Sequence, residues 1–287
     1  TLSYFMNKII WIASYPKSGN TWLRYFLGNY YFNNKDNFQP EIIKNIKKFH
    51  LDKELIKSKF HNQDFIKNPY NVSKYWIESQ KKLEIKKGNV VFLKTHNALI
   101  NIENNEFTNS DLTLAIIYVI RDPRDVVVSY SKYRHLDYDK TIEHMIGSKV
   151  NIPYVRDAKD ASNIEITGSW AFHYNSWKDG ISVIPRIIIK YEDLLSNSEK
   201  IFTNIIKFLS NIMKLEVNYK KIKSSNNLSK FTKLKNFEAK NNFFENNSSE
   251  NFFRIGKSGN WKKELNKDQI KKIEDSFKIE MINLGYL

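Results

Sequence analysis

Four short apolar runs, at residues 9–13, 90–93, 115–120 and 186–190, are rich in β-branched side chains and give way at once to polar residues. Hydrophobicity that is continuous rather than alternating fits strands covered on both faces, as in a parallel sheet between helices. Helical patterns fall between the runs. Residues 21–31 are aromatic-rich, 125–133 follow a proline of the kind that opens helices, and 199–209 space their apolar side chains at helical intervals. The order βαβα predicts an α/β fold, a single domain with a central parallel sheet flanked by helices. Near the C terminus, Asn266 with Gln269 predicts a capping box, and Ile270, Ile273, Phe277, Met281 and Leu284 predict the core stripe of one last helix. Residues 33–59 and 224–249 read as irregular.

A chain of 287 residues with 41% apolar side chains can bury a sizeable core. One domain over residues 6–287 is expected, with Met6 as the native start and residues 1–5 as an added or unordered leader. There is no cysteine, which excludes disulfides, thiolate zinc sites and cysteine nucleophiles and fits a cytoplasmic protein. No apolar run approaches the roughly 20 residues of a membrane helix. The net charge of +15 admits nucleic acid, an acidic membrane surface or an anionic small ligand as partner. Because the excess is mostly lysine, and Lys, Asn and Ile are abundant throughout, charge alone does not choose among these.

The segment Tyr15-Pro16-Lys17-Ser18-Gly19-Asn20-Thr21-Trp22 joins the first strand pattern to the first helix pattern. Such a turn gathers backbone N–H groups and the unpaired N–H groups of a helix start on one point, which favours an anion. Gly19 permits close approach, Lys17 adds a charge, Ser18 and Thr21 add hydroxyls, and Trp22 offers a flat face to a purine. A nucleotide triphosphatase loop would place its lysine after the second glycine and needs an earlier glycine that is missing here.

With Asn20 as its single departure from Tyr-Pro-Lys-Ser-Gly-Thr-Thr-Trp, this loop resembles that of the sulfotransferases that use 3′-phosphoadenosine 5′-phosphosulfate (PAPS). The resemblance implies that Lys17 touches the bridging oxygen of the leaving group, that Ser18, Gly19, Asn20 and Thr21 hold phosphate and sulfonate oxygens, and that Trp22 stacks on adenine. Further motifs follow in the family's order. The run from Arg121 to Ser129 is similar to its 3′-phosphate site, where arginine gives a bidentate contact. Taken alone, Arg121 would be a structural ion-pair partner for Asp122 or Asp125. Lys94-Thr95-His96 is similar to its strand-end element, with Lys94 and His96 on one side and Thr95 on the other. Asn97-Ala98 replaces the Leu-Pro usual after it. Tyr191, Ser229 and Phe231 fall where the family contacts adenine. Arg254, Ile255 and Gly256 fall in its cofactor-closing segment, although Ile255 stands where a charged residue is usual and Lys257 is the nearest substitute.

By resemblance the chain has the P-loop-nucleotide-kinase-like sulfotransferase fold. It is expected to move a sulfuryl group from PAPS to a hydroxyl or amine of a small acceptor, apolar or glycosidic, leaving 3′-phosphoadenosine 5′-phosphate (PAP). His96 is the expected base, Lys17 and Lys94 the expected charge stabilisers, and residues 224–262 a closing lid. Neither metal nor nucleic acid is expected to take part. The rival readings are a phosphotransferase, which lacks a matching carboxylate set, a non-catalytic PAP sensor, which would not need Lys94 and His96, and a nucleic-acid binder that rests on charge alone.

Overall fold

A computed structural model describes residues 8–59, 68–83, 89–147, 162–241, 243, 253 and 256–287. Its strands are β1 (Lys8–Ser14), β2 (Lys47–Lys48), β3 (Val90–Thr95), β4 (Asn101–Ile102), β5 (Asn105–Glu106), β6 (Thr113–Ile120) and β7 (Arg186–Lys190). Five of them form a sheet of order β2-β3-β1-β6-β7, while β4 and β5 make a small antiparallel hairpin. The longer helices are α1 (Asn20–Phe32), α2 (Pro123–Arg134), α3 (Tyr138–Ile146), α4 (Trp170–Asp179), α5 (Tyr191–Met213), α6 (Tyr219–Leu228), α7 (Phe231–Lys240) and α8 (Lys267–Ser276). The fold is α/β with a central parallel sheet, and all four apolar runs are strands of it. Ile9 to Ala13 are wholly buried, as continuous hydrophobicity requires of a strand covered on both faces.

The chain divides into two compact units. The first comprises Thr1–Tyr15, Lys47–Tyr118 and Gly147–Arg186. Its parallel strands β1 and β3 register Ala13 against Thr95, and β2 sets Lys48 against Lys94. Trp11, Phe49, Trp76, Phe107 and Trp177 interlock in its core, edge to face except for the tilted Trp11–Phe107 pair. The second unit comprises Pro16–Ile46, Val119–Ile146 and Ile187–Leu287. There Phe26 stacks on Phe202 with ring centroids 3.8 Å apart, and Tyr25, Ile42, Ile43, Leu234, Phe243 and Phe253 form a cluster that Trp22 and Phe231 flank.

Several expectations need correction. Residues 33–59 are not irregular: they hold a 3-10 turn at Pro40–Asn45, strand β2 and a helix at Lys53–Lys59. In 224–249, α6 finishes and α7 follows, so the described part of that stretch is largely helical. The helix expected over 199–209 starts at Tyr191 and kinks at Asn197, whose φ of −152° breaks the helical run. The last helix is also two. Its capping box forms, with Gln269 N donating to Asn266 Oδ1 at 2.9 Å and Asn266 N donating to Gln269 Oε1 at 3.1 Å. It ends at Ser276, and Lys278–Asn283 follows beyond Phe277, whose φ of −120° and ψ of 19° are not helical. Among the described residues no helix is long and apolar enough to cross a membrane.

Candidate active site

In the second unit the chain turns from Pro16 into α1 without a side-chain cap, through Gly19 at φ 104°. A Cβ on Gly19 would stand 2.5 Å from Tyr191 Cδ2, so only glycine lets the turn lie against that ring. Lys17 also has positive φ, 66°, and its ammonium sits 4.5 Å from the centroid of the Tyr133 ring. Ser18, Asn20 and Thr21 are buried and Trp22 is half-buried. Ser18 Oγ and Trp22 Nε1 are buried polar atoms with no hydrogen-bond partner among the described residues. Each such atom costs about 1–3 kcal/mol, which a ligand carrying acceptor oxygens would offset.

Arg121 leaves the end of β6 and reaches back to this turn. Its Nη1 donates to Lys17 O at 3.3 Å, its Nη2 donates to Lys257 O at 3.2 Å, and its guanidinium carbon lies 4.5 Å over the Tyr191 ring. Its Nε has no partner among the described residues. The structural alternative fails here, because both nearby aspartates are engaged elsewhere. Asp122 pairs with Arg124 at 2.7 Å. Asp125 accepts from Ser258 Oγ at 3.1 Å, Gly259 N at 2.7 Å and Trp261 N at 3.2 Å. A half-buried guanidinium held by carbonyls and, among the described residues, by no carboxylate, beside a serine hydroxyl without a described partner, has the chemistry of an anion site.

The remaining predicted residues of this unit take varied places. Tyr191 opens α5, buried, with its phenol pushed up by burial. Phe231 opens α7, and a Cβ on Gly256, whose φ is 60°, would stand 2.5 Å from its ring. Trp22 and Phe231 flank the same apolar cluster. Ser129 is half-buried on α2. Ser229 is fully buried, its hydroxyl donating to Ser225 O at 2.8 Å and accepting from Asn29 Nδ2 at 3.3 Å, so here it ties α6 to α1. Arg254 and Ile255 lie outside the described residues. Lys257 supplies its carbonyl to Arg121 while its side chain is exposed.

In the first unit, His96 follows the end of β3. Its Nδ1–H donates to Ser14 O at 2.7 Å, which fixes the tautomer and leaves Nε2 with its lone pair. The His96 N–H donates to Glu165 Oε1 at 2.8 Å, and His96 O accepts from His173 Nε2 at 3.1 Å, whose Nδ1 in turn meets the Tyr118 hydroxyl at 2.8 Å. Burial and the Lys94 ammonium hold the His96 imidazole well below its ordinary pKa. Thr95 is buried on the opposite side, its Oγ1 accepting from Asn97 N at 2.9 Å, whereas Lys94 is half-buried. Asn97 fixes the chain that follows, accepting from Ile166 N at 2.8 Å through Oδ1 and from Trp177 Nε1 at 2.9 Å through its carbonyl.

Glu165 and Lys48 are the residues that sequence reasoning missed. The Glu165 carboxylate, buried, pairs with Lys48 Nζ at 2.8 Å. Burial alone would raise it, but Lys48, Lys94 and His96 together hold it well below the usual carboxylate range. No motif marks either residue. Only the register of β2 on β3 carried the signal, by setting Lys48 beside Lys94.

A family model described as the sulfotransferase domain matches residues 7–285. Among solved structures, the mouse sulfotransferase SULT7A1 complexed with PAP is similar with a TM-score of 0.58 and 20% identity, over 98% of this chain and 87% of that one. Retinol dehydratase, in complex with androsterone and the inactive cofactor PAP, is similar with a TM-score of 0.58 and 19% identity, over 97% of this chain and 82% of that one. A comparison with curated proteins returned no match. At these identities the solved structures speak for the fold. The family match runs from the first strand through the final helical turns, and the chain belongs to the sulfotransferase family.

Proposed function

We propose that this chain transfers a sulfuryl group from PAPS to a hydroxyl or amine of a small acceptor and releases PAP. The observation that carries the reading is Arg121, a guanidinium bonded, among the described residues, to two carbonyls and no carboxylate, beside the Ser18 hydroxyl, which has no described partner. Arg121, with Ser129 and the backbone near Ile255 and Gly256, reads the 3′-phosphate. Lys17 and the turn from Ser18 to Thr21 hold the 5′ end. Trp22, Tyr191 and Phe231 hold adenine, with Arg254 and Ser229 as further supports. The glycines fit this role, since Gly19 and Gly256 are the points where a Cβ would strike Tyr191 and Phe231.

His96 supplies the base. Its Nε2 takes the acceptor proton as the new bond to sulfur forms, while Lys17 and Lys94 hold the charge gathering on the phosphate oxygen as the bridging S–O bond breaks. General-base help is worth roughly 10²- to 10⁴-fold. The fixed Nδ1–H tautomer supports this role, because it leaves one ring nitrogen unprotonated. The solved relatives bound to androsterone and PAP, or to retinol and PAP, support an apolar small acceptor. The test is a thermal-shift titration with PAP and adenosine 5′-phosphate, followed by an acceptor screen with labelled PAPS. PAP should stabilise the protein markedly and adenosine 5′-phosphate much less. Equal shifts would remove the 3′-phosphate reading.

A further inference from the structure

The His96 centre is more elaborate than a base on a strand end requires. One oxygen of the buried Glu165 carboxylate accepts the His96 backbone N–H at 2.8 Å, and the other pairs with Lys48 Nζ at 2.8 Å. Lys48 lies in register with Lys94, so two ammonium groups from adjacent strands stand with one carboxylate and one imidazole. On its far side, His96 is held at the ring by Ser14 O and at its carbonyl by His173. Both backbone atoms of His96 are therefore clamped, and Glu165 supplies one clamp and a negative charge that acts on the imidazole.

From this arrangement we propose that Glu165 is a positioning residue for sulfuryl transfer: it fixes the His96 backbone and balances the charges of Lys48 and Lys94, so that His96 Nε2 keeps enough basicity to take a proton. The inference rests on His96 being the base. Glu165 is not itself the base, because both of its oxygens are already engaged and its carboxyl is held in the ionised form. The groups that face the imidazole act in opposition. Burial, Lys94 and Lys48 depress its basicity, whereas Glu165 and the Ser14 carbonyl raise it. The neighbouring His173 is kept neutral by its own burial and adds no charge. Two lysines without Glu165 would leave the imidazole a weaker base. Glu165 without Lys48 would make it a stronger base.

Opposite signs make the test specific. Nitrogen-15 NMR of histidine-labelled protein, assigned with His96→Gln, follows the His96 ring nitrogens against pH without any acceptor. Glu165→Gln, which keeps the shape and a carbonyl for the His96 N–H, should move the His96 midpoint down by about half a pH unit or more, and Lys48→Met should move it up by a similar amount. A purely structural role would move both the same way or neither. Midpoints that stay within a small fraction of a pH unit, or that shift together, overturn the assignment. If Glu165→Gln does not fold, the sign of the Lys48→Met shift decides. PAP affinity, measured on the same samples, should stay within a few-fold of wild type. PAP failing to bind even the wild type would sink sulfuryl transfer, whereas unmoved midpoints with PAP bound would sink the role of Glu165 alone.

Discussion

The guanidinium carbon of Arg121 lies 4.5 Å from the centroid of the Tyr191 ring, parallel in purpose to the two carbonyl contacts that hold it from the sides. An aromatic face and two backbone oxygens orient this cation without neutralising it. Arg121→Ala should therefore weaken PAP about 10- to 100-fold, the usual worth of hydrogen bonds to a charged group, and weaken adenosine 5′-phosphate by much less. Isothermal titration with both nucleotides checks this, and an equal loss for the two would point to damage of the fold instead.

Gly19→Ala and Gly259→Ala separate strain from collision. Both glycines have positive φ, 104° and 81°, but a Cβ at Gly19 meets Tyr191 at 2.5 Å while one at Gly259 meets nothing within 4 Å. Gly259→Ala should cost about 1–2 kcal/mol of backbone strain, and Gly19→Ala more than that together with most of the PAP affinity. Urea denaturation ranks the two. The reverse order would disprove the close approach of Tyr191.

His96→Gln should nearly abolish turnover in labelled-PAPS assays while PAP affinity stays within a few-fold of wild type. The acid limb of the wild-type rate profile should lie below the ordinary imidazole value of about 6.5, because burial and Lys94 depress His96. An acid limb above that value, or full turnover by the variant, would assign the base elsewhere. The carboxylates of Glu103 and Glu106, at the β4–β5 hairpin, are then the next to test by substitution, because both oxygens of Glu165 are already engaged.

Stability should fall as pH drops from about 6.5 towards 4. Burial holds His173 and His144 at about 4, with Arg134 adding to the effect on His144, and holds His96 well below its ordinary value. The unfolded chain protonates all three near pH 6.5, so it binds more protons than the native state in this window, and the native state loses up to about 1.4 kcal/mol per histidine per pH unit. Glu192, whose carboxyl is pushed up by burial, works in the opposite direction, but as one group against three. Melting temperatures that stay flat between pH 7 and 5 would contradict the burial of these imidazoles.

The fold was legible where local pattern and tertiary role agree. Residues 9–13 read as a strand because burial on both faces leaves no polar position in the run. The turn from Lys17 into α1 was legible because its residues are contiguous in sequence. Strand β2 was not legible, since Lys47 and Lys48 have no apolar period and become a strand only by pairing with β3. The helix α7 was hidden by its lysines and asparagine, with Leu234 and Glu238 alone buried. Glu165 carries no signal at all in sequence, because what singles it out is the meeting of β2, β3 and the chain before α4.

Arg121 holds Lys17 and Lys257 by their carbonyl oxygens, and a carbonyl is common to every amino acid. Position 257 is thereby released from selection on its side chain, whereas position 256 is not, because its φ of 60° and the Phe231 ring both demand glycine. A library randomised at the two positions should return almost any residue at 257 and glycine at 256. Sequence drift along this segment would then leave the grip of Arg121 intact while erasing the motif by which the segment is recognised.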